Sequence, residues 1–253
     1  MILEKIARLL YPHGTVRSVL RGPLRGMRFV VVPGMGATYA LGYDCWHHRF
    51  LQKRINPGMV VYDVGGNRGQ MALFFSRAVS PSGSVFSFEP VPANAAIMKR
   101  NLGLNSLSNA HLLEIALGAC NGMRPFVFDA DLHTNGTFAD FHVKLPGHKP
   151  SLEVSCRKMD DLVRDGLPKP GLLKIDVEGG AGEVIEGAAE TIGRCLPPIY
   201  FEVHATTEQC PEFLALKRLK EEWKYRITEV SSGTVIDPRP MWGGAVWCEA
   251  HDI

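Results

Sequence analysis

Short apolar runs that alternate with helical segments constrain this fold more than any other feature of the sequence. The five continuous apolar runs that come first are typical of parallel strands buried on both faces, and alternation with helices predicts right-handed βαβ units. We therefore predict an α/β fold with a seven-stranded, mostly parallel, doubly wound sheet whose last strand is antiparallel, because no helix separates the last two runs. The predicted strands lie at 60–65, 84–90, 110–118, 171–179, 198–204, 225–233 and 244–250, and the main helices at 69–79, 93–104, 182–193 and 208–223.

Two segments fall outside this pattern. Residues 1–55 form an N-terminal arm, with a helix predicted over 1–10, a strand over 27–34 and a helix over 44–54, and residues 56–253 form one α/β domain. Residues 119–160 are rich in Gly, Pro and His, and we expect a strand followed by a long mobile loop near the site.

Charge and composition limit the partners of the chain. Residues 1–54 hold nine Lys and Arg against two Asp and Glu, whereas the remainder holds 19 against 24. This basic arm could meet an acidic substrate, a nucleic acid or a membrane surface, although a solvated face over an acidic body is the simpler interpretation. No apolar run reaches the ~20 residues that span a bilayer, and no C-x-x-C pair suggests a zinc knuckle. We expect a cytoplasmic protein without a membrane span.

A glycine-rich segment, DVGGNRG at 63–69, links the first predicted strand of the domain to a helix. Gly65 and Gly69 permit a tight turn and the close approach of a ligand to the backbone. The spacing is G-x-x-x-G, whereas a pyrophosphate cradle requires G-x-G-x-x-G, which argues against an NAD-dependent oxidoreductase.

A carboxylate follows this loop at the spacing seen in nucleotide-binding folds. Glu89 ends the next strand 20 residues after Gly69, where it can accept hydrogen bonds from two ribose hydroxyls, or else act as a turn acid before Pro90. The following strand would present the small side chain of Ala116 to an adenine ring. Loop and carboxylate together predict an adenosine-like ligand.

Eight motifs resemble, in order and spacing over residues 43–204, the FkbM family of methyltransferases. They are DVGGNRG at 63–69, FEP at 88–90, NLGLN at 101–105, IALG at 115–118, MDDL at 159–162, KIDVEG at 174–179, EGA at 186–188 and FEVH at 201–204. The resemblance implies the class I methyltransferase (Rossmann-like) fold, S-adenosylmethionine (SAM) as cofactor, and O-methylation of a hydroxyl on a sugar or specialised metabolite. We assign cofactor binding to Asp63, Gly65, Asn67, Gly69, Glu89, Pro90, Ala116 and Asp176.

The sequence departs from the family pattern after KIDVEG. The family usually continues EGAE, whereas this chain has GGAG at 179–182, so that a carboxylate is missing at Ala181. Because glycine disfavours helix, we expect the helix to start late, with Glu183 in its first turn. Because of this departure, a second interpretation stays open, in which the chain is a non-catalytic module that binds SAM.

Candidate catalytic groups lie where the fourth and fifth predicted strands end, since ligands of open α/β sheets bind beyond the carboxyl ends of strands. Methyl transfer to a hydroxyl requires an oriented acceptor and a group that takes its proton. We assign Asp176 to the acceptor or methyl-donor end and His204 to the general base, although His204 could instead cap or orient a neighbour. Glu178 is interpreted as a helix cap, and Asp160 and Asp161 as a helix start.

A divalent ion is a further hypothesis for these strand ends. Asp176, Glu202, His204 and His133 could hold Mg²⁺ or Mn²⁺, but no closed ligand spacing is visible. Tyr43 and Trp46 of the arm could cover the pocket or simply pack. A nucleic-acid substrate is disfavoured, because basic and aromatic residues are not interleaved. The sequence leaves the acceptor and a homo-oligomeric state open.

Overall fold

A computed structural model describes residues 11–32, 45–128, 136–138, 151–205, 207–239 and 241–250. Its helices are α1 (Cys45–Gln52), α2 (Gln70–Val79), α3 (Pro92–Leu104), α4 (Met159–Arg164), α5 (Ala181–Gly187), α6 (Ala189–Cys195) and α7 (Pro211–Trp223). Its strands are β1 (Val16–Ser18), β2 (Arg28–Val30), β3 (Val60–Val64), β4 (Ser84–Phe88), β5 (Ala110–Leu113), β6 (Ala116–Leu117), β7 (Gly122–Phe128), β8 (Gly136–Phe138), β9 (Ser151–Arg157), β10 (Leu172–Ile175), β11 (Ile199–Ala205), β12 (Tyr225–Glu229) and β13 (Met241–Ala250).

The central sheet has seven strands in the order β12-β13-β11-β10-β3-β4-β5. Strands β11, β10, β3, β4 and β5 are parallel, whereas β13 is inserted antiparallel between β11 and β12. This arrangement confirms the predicted sheet and its antiparallel last strand. It also brings the carboxyl ends of β3, β4, β10 and β11 to one edge, which is where the predicted site residues follow.

Alternate residues of the central strands feed two apolar clusters, one on each face of the sheet. In β10, Leu172 belongs to the cluster that includes the arm and α2, and Leu173 belongs to the cluster that includes α5, α6 and α7. Both leucines are fully buried, and burial of such a side chain contributes about 2 kcal/mol to stability. Layers on both faces explain why these strands read as continuous apolar runs.

A second sheet, with the order β6-β9-β7-β8, corrects two of the sequence predictions. Residues 110–118 are not one strand, because β5 ends at Leu113 and β6 pairs with β9 of the second sheet. The described residues of 119–160 include three strands, β7, β8 and β9, where we predicted one strand and a loop; residues 129–135 and 139–150 of the predicted loop lie outside the described part. Alternating burial stabilises them: Val154 and Cys156 of β9 pack with Phe126 of β7.

The helix predicted over 182–193 is two short helices that meet at Ala188. Gly187 lies so close to Gly118 that an added Cβ would stand 2.0 Å from the Gly118 carbonyl oxygen. This backbone contact is a long-range one that no local pattern reveals. Glu183 lies in the first turn of α5, as predicted, and Asp160 and Asp161 lie in the first turn of α4.

The described part of the arm packs on the α2 side of the central sheet. Strands β1 and β2 form an antiparallel pair, and Val30 donates its backbone N–H to the Asn101 side chain of α3. Leu51 of α1 is fully buried in the same apolar cluster as α2. The predicted helix over 1–10, Tyr43 and the loop residue His133 lie outside the described residues. None of the described helices is long and apolar enough to cross a membrane.

Candidate cofactor and acceptor site

The glycine-rich segment leaves β3 at the centre of the sheet and enters α2. Gly65 has a φ of +79°, and a Cβ on it would stand 2.0 Å from the carbonyl oxygen of Asp176. Its backbone N–H and that of Gly66 donate to the carbonyl of Phe88, at distances of 3.1 and 3.0 Å. Only glycine fits such a left-handed, closely packed position, so the loop lies directly against the ends of β4 and β10.

Glu89 lies beside this loop, as the sequence predicted for a carboxylate at the end of β4. Its side chain is 4% exposed and accepts hydrogen bonds from the backbone N–H groups of Asn67, at 2.8 Å, and Val91, at 2.9 Å. Asn94 of α3 lies 3.4 Å from the same carboxylate. Burial raises the pKa of Glu89, and the hydrogen bonds and the charge of Lys174 oppose that shift.

Asp63 and Ala116 are buried in the protein. Asp63 accepts a hydrogen bond from the Ser87 hydroxyl at 2.9 Å, and its other carboxylate oxygen lies 3.1 Å from the Lys174 ammonium. Ala116, 7% exposed, packs in the same apolar cluster as Val91. Asp63 therefore supports the loop from within, and direct contact of either residue with a cofactor stays a prediction.

At the carboxyl ends of β10 and β11 the structure gathers Asp176, Glu202 and His204. One side-chain ligand atom from each lies within 4.8 Å of the others. Pairing of β11 with β13 shifts between Val203 and His204, and a bulge of this kind commonly re-aims side chains beside an active site. A carboxylate oxygen of Glu178 lies 3.9 Å from His204 Nε2. The next residue, Gly179, donates its backbone N–H to the Glu212 carboxylate of α7 at 2.8 Å.

Lys174 is the most important site residue that sequence reasoning missed. Lys174 lies on β10, two residues before Asp176, and is 2% exposed. Its ammonium lies 3.1 Å from the Asp63 carboxylate, 3.3 Å from the Asp176 carboxylate and 2.8 Å from the Gly65 carbonyl oxygen. Burial disfavours its charge, but the carboxylates of Asp63, Asp176 and Glu202 outweigh burial, and the pKa of Lys174 is raised. A lysine inside an otherwise apolar strand was the available signal.

His47 of α1 is a second missed residue. Its Nδ1 contacts the hydroxyl of Tyr200, which lies two residues before Glu202 on β11. Burial, then the neighbouring His48, lowers the pKa of His47 to about 4, and the Asp176 charge opposes that shift. The arm therefore reaches the sheet beside the acceptor end. The side chain of Trp46, on the same helix, is outside the described residues.

The position that lacks the family carboxylate lies in the core. Ala181 is 1% exposed and packs with Val184 and Ile185 in the apolar cluster of α5. The nearby Glu183 forms an ion pair with Arg124 of β7, which ties α5 to the second sheet. An acidic side chain at 181 would be buried among apolar neighbours here, so alanine matches its surroundings.

Residues 63–227 match the family described as the Methyltransferase FkbM domain. The chain belongs to the FkbM methyltransferase family. It is 30% identical to Methyltransferase sdnD of Sordaria araneosa over 53% of this chain and 61% of that one. It is 27% identical to the 31-O-demethyl-FK506 methyltransferase FkbM of Streptomyces tacrolimicus, over 65% of this chain and 72% of that one. Hexuronic acid methyltransferase AglP of Haloferax volcanii is 28% identical, over 81% of this chain and 84% of the relative.

The solved structures agree on the fold of this FkbM family member. A methyltransferase FkbM from Methylobacillus flagellatus superposes with a TM-score of 0.51 at 16% identity, covering 77% of this chain and 44% of that one. The fold is the class I methyltransferase fold, and family and fold together imply the use of SAM.

The chain spans only about three fifths of the length of two of its relatives. It covers 61% of sdnD and 57% of Methyltransferase 1 from Beauveria bassiana.

Proposed function

We propose that this chain is a SAM-dependent O-methyltransferase that acts on a hydroxyl of a small molecule such as a sugar. The observation that carries the proposal is the adjacency of two groups of residues. The glycine loop and Glu89 lie at the ends of β3 and β4, and Asp176, Glu202 and His204 lie at the ends of the neighbouring strands β10 and β11. A nucleotide cofactor and a polar acceptor would thus meet at one sheet edge.

SAM, when bound, supplies an electrophilic methyl group. The protein's part is to bind and orient: Glu89 accepts hydrogen bonds from ribose hydroxyls, and the loop backbone approaches the cofactor closely. Asp176 orients the acceptor hydroxyl at the methyl-donor end. His204 takes the hydroxyl proton on an imidazole nitrogen, and Glu178 lies 3.9 Å from its Nε2.

The names of two relatives support an oxygen acceptor, a 31-O-demethyl-FK506 methyltransferase and a 2-O-methyltransferase, NoeI. A third relative, AglP, is named for hexuronic acid, which supports a sugar acceptor without naming the methylated atom. NoeI, from Sinorhizobium fredii, is 27% identical over 58% of this chain and 64% of the relative. The acceptors in these names differ, so the proposal is limited to the reaction class and to small, hydroxyl-bearing acceptors.

Metal assistance fits the acceptor end poorly. Asp176, Glu202 and His204 could together offer three ligand atoms, but Mg²⁺ prefers oxygen ligands in a near-octahedral shell. Lys174 already places a buried ammonium 3.3 Å from Asp176, where it neutralises part of the carboxylate charge that a metal ion would otherwise neutralise. We derive no step through a metal, and we expect EDTA to leave turnover unchanged and added Mg²⁺ or Mn²⁺ not to raise it.

Calorimetry with SAM, S-adenosylhomocysteine and NAD tests the cofactor. We expect binding of both sulfur nucleotides and none of NAD, in keeping with the G-x-x-x-G spacing. Transfer of a labelled methyl group from SAM to hydroxyl-bearing compounds in a cell extract then identifies the acceptor. Absence of binding to either sulfur nucleotide would refute the proposal.

A non-catalytic SAM-binding module is the remaining alternative. It would be favoured if SAM bound but no extract component became labelled. The structure offers this alternative no specific support, because Ala181 is buried in the core and the polar groups of the acceptor end are present.

A further inference from the structure

We propose that Lys174 is a positioning residue that joins the cofactor loop and the acceptor carboxylate into one rigid unit. The inference deepens the proposed function and rests on it for the identity of the ligand. Lys174 touches neither the cofactor nor the acceptor in this proposal, because its side chain is 2% exposed. It acts through the groups that it holds.

The Lys174 ammonium contacts oxygens from different parts of the site. It donates to the carbonyls of Gly65, at 2.8 Å, and Val64, at 3.4 Å, and it forms ion pairs with the Asp63 carboxylate of β3 and the Asp176 carboxylate after β10. An ammonium carries three donors and no acceptor, so it can serve the loop and both carboxylates. By contacting both groups, the Lys174 ammonium restrains the position of the loop relative to Asp176.

The backbone reinforces this connection. Gly65 approaches Asp176 so closely that no side chain fits between them. On the other side of the loop, Glu89 accepts the Asn67 N–H at 2.8 Å. The loop is thus held by the Phe88 carbonyl, by the side chains of Glu89 and Asn101, and by Lys174 of β10. Of these side chains, Lys174 also contacts the acceptor-side residue Asp176.

The charge of Lys174 also has a structural consequence. The ammonium of Lys174 faces Asp63, Asp176 and Glu202, and removal of Lys174 alone would take from the fully buried Asp63 carboxylate the counter-ion that lies 3.1 Å away. Such uncompensated charges destabilise a protein strongly. An experiment must therefore distinguish a loop that has moved relative to Asp176 from a protein that has unfolded.

Four variants of the full chain make that separation: Lys174→Met, Asp63→Asn, the double variant Asp63→Asn/Lys174→Met, and Lys169→Met as an exposed control. Each is assayed by thermal unfolding, by calorimetry with S-adenosylhomocysteine, and by ligand-free hydrogen exchange at the amides of residues 65–69. The double variant removes the buried charge together with its counter-ion, so we expect it to recover much of the stability that Lys174→Met loses.

The recovered double variant decides the question. We expect it to bind S-adenosylhomocysteine about tenfold more weakly than Asp63→Asn, with faster loop exchange, because the loop has lost the contacts of Lys174. Asp63→Asn alone keeps the contacts of Lys174 with Gly65 and Asp176 and is therefore the reference, since any part that Asp63 itself plays in cofactor binding is lost equally in both variants. Lys169→Met should match the wild type.

Affinity and loop protection in the folded double variant equal to those of Asp63→Asn would overturn the inference, since Lys174 would then only neutralise charge. If the wild type itself binds no S-adenosylhomocysteine, the proposed function fails. Loop exchange still tests the inference in that case, because it is measured without ligand.

Discussion

The cofactor end and the acceptor end of the site are built in different ways. At the cofactor end, consecutive loop residues and Glu89 are joined by backbone hydrogen bonds, and the positions tolerate little change. At the acceptor end, Asp176, Glu202 and His204 are partly exposed side chains from two separate strands. One end is a local motif, and the other is a set of tertiary neighbours.

This difference predicts which property each end controls. The loop is held by contacts of its own backbone, whereas side chains at strand ends can be replaced without disturbing the fold. Variants at the cofactor end should therefore affect binding of S-adenosylhomocysteine. Variants at the acceptor end should affect turnover and leave that binding intact.

The largest expected effect is at Gly65. Gly65→Ala places a Cβ 2.0 Å from the Asp176 carbonyl at a φ of +79°, so the loop must move. We expect affinity for S-adenosylhomocysteine to fall by about a hundredfold or more, or stability to fall by about 3 kcal/mol. Calorimetry and thermal unfolding measure both. Gly103→Ala, in α3 with nothing within 4 Å of the added Cβ, is the control and should be neutral or stabilising.

The next effect is on turnover. His204→Ala removes the proposed base, and the rate of methyl transfer to an identified acceptor should fall by about a hundredfold. Affinity for S-adenosylhomocysteine should stay within about twofold of the wild type. The exposed His13 of the arm provides the control variant, His13→Ala. Equal loss of turnover and of cofactor binding would contradict the division between the two ends.

A smaller effect is expected at Glu89. Glu89→Gln removes a charged acceptor from the proposed ribose contact, so affinity for S-adenosylhomocysteine should fall by about tenfold. Glu114→Gln, an exposed carboxylate after the neighbouring β5, is the matched control. If both variants bind with wild-type affinity, Glu89 is only a turn acid that holds the loop.

The smallest effect is the pH dependence that arises from His47. Its pKa in the folded protein is lowered from 6.5 to about 4, so the unfolded chain binds the extra proton between these values. Stability should rise with pH across about 4 to 6.5 and be lost as pH falls through that window. Thermal unfolding of His47→Gln should show a flatter dependence, and an unchanged profile would exclude His47 as its cause.

Much of the fold could be predicted from local patterns. Strands β3, β4 and β10 of the central sheet are largely apolar runs because layers on both faces bury them, and the antiparallel last strand followed from a missing helix. The sequence predictions were wrong where contacts between residues far apart in the sequence determine the local structure. Strand β6 leaves the central sheet to pair with β9, and the helix break at Ala188 accompanies the contact between Gly187 and Gly118.

The sequence by itself determined the family and the class I fold, and it placed the glycine loop and Glu89 at neighbouring strand ends, because motifs and apolar runs depend on neighbours along the chain. Only the tertiary structure decided that Lys174 bridges the loop and Asp176, that His47 of the arm reaches Tyr200, and that Ala181 lies in the core. The physical reason is that burial and charge pairing bring together residues that are far apart in the sequence, and no repeating pattern in the sequence predicts such contacts.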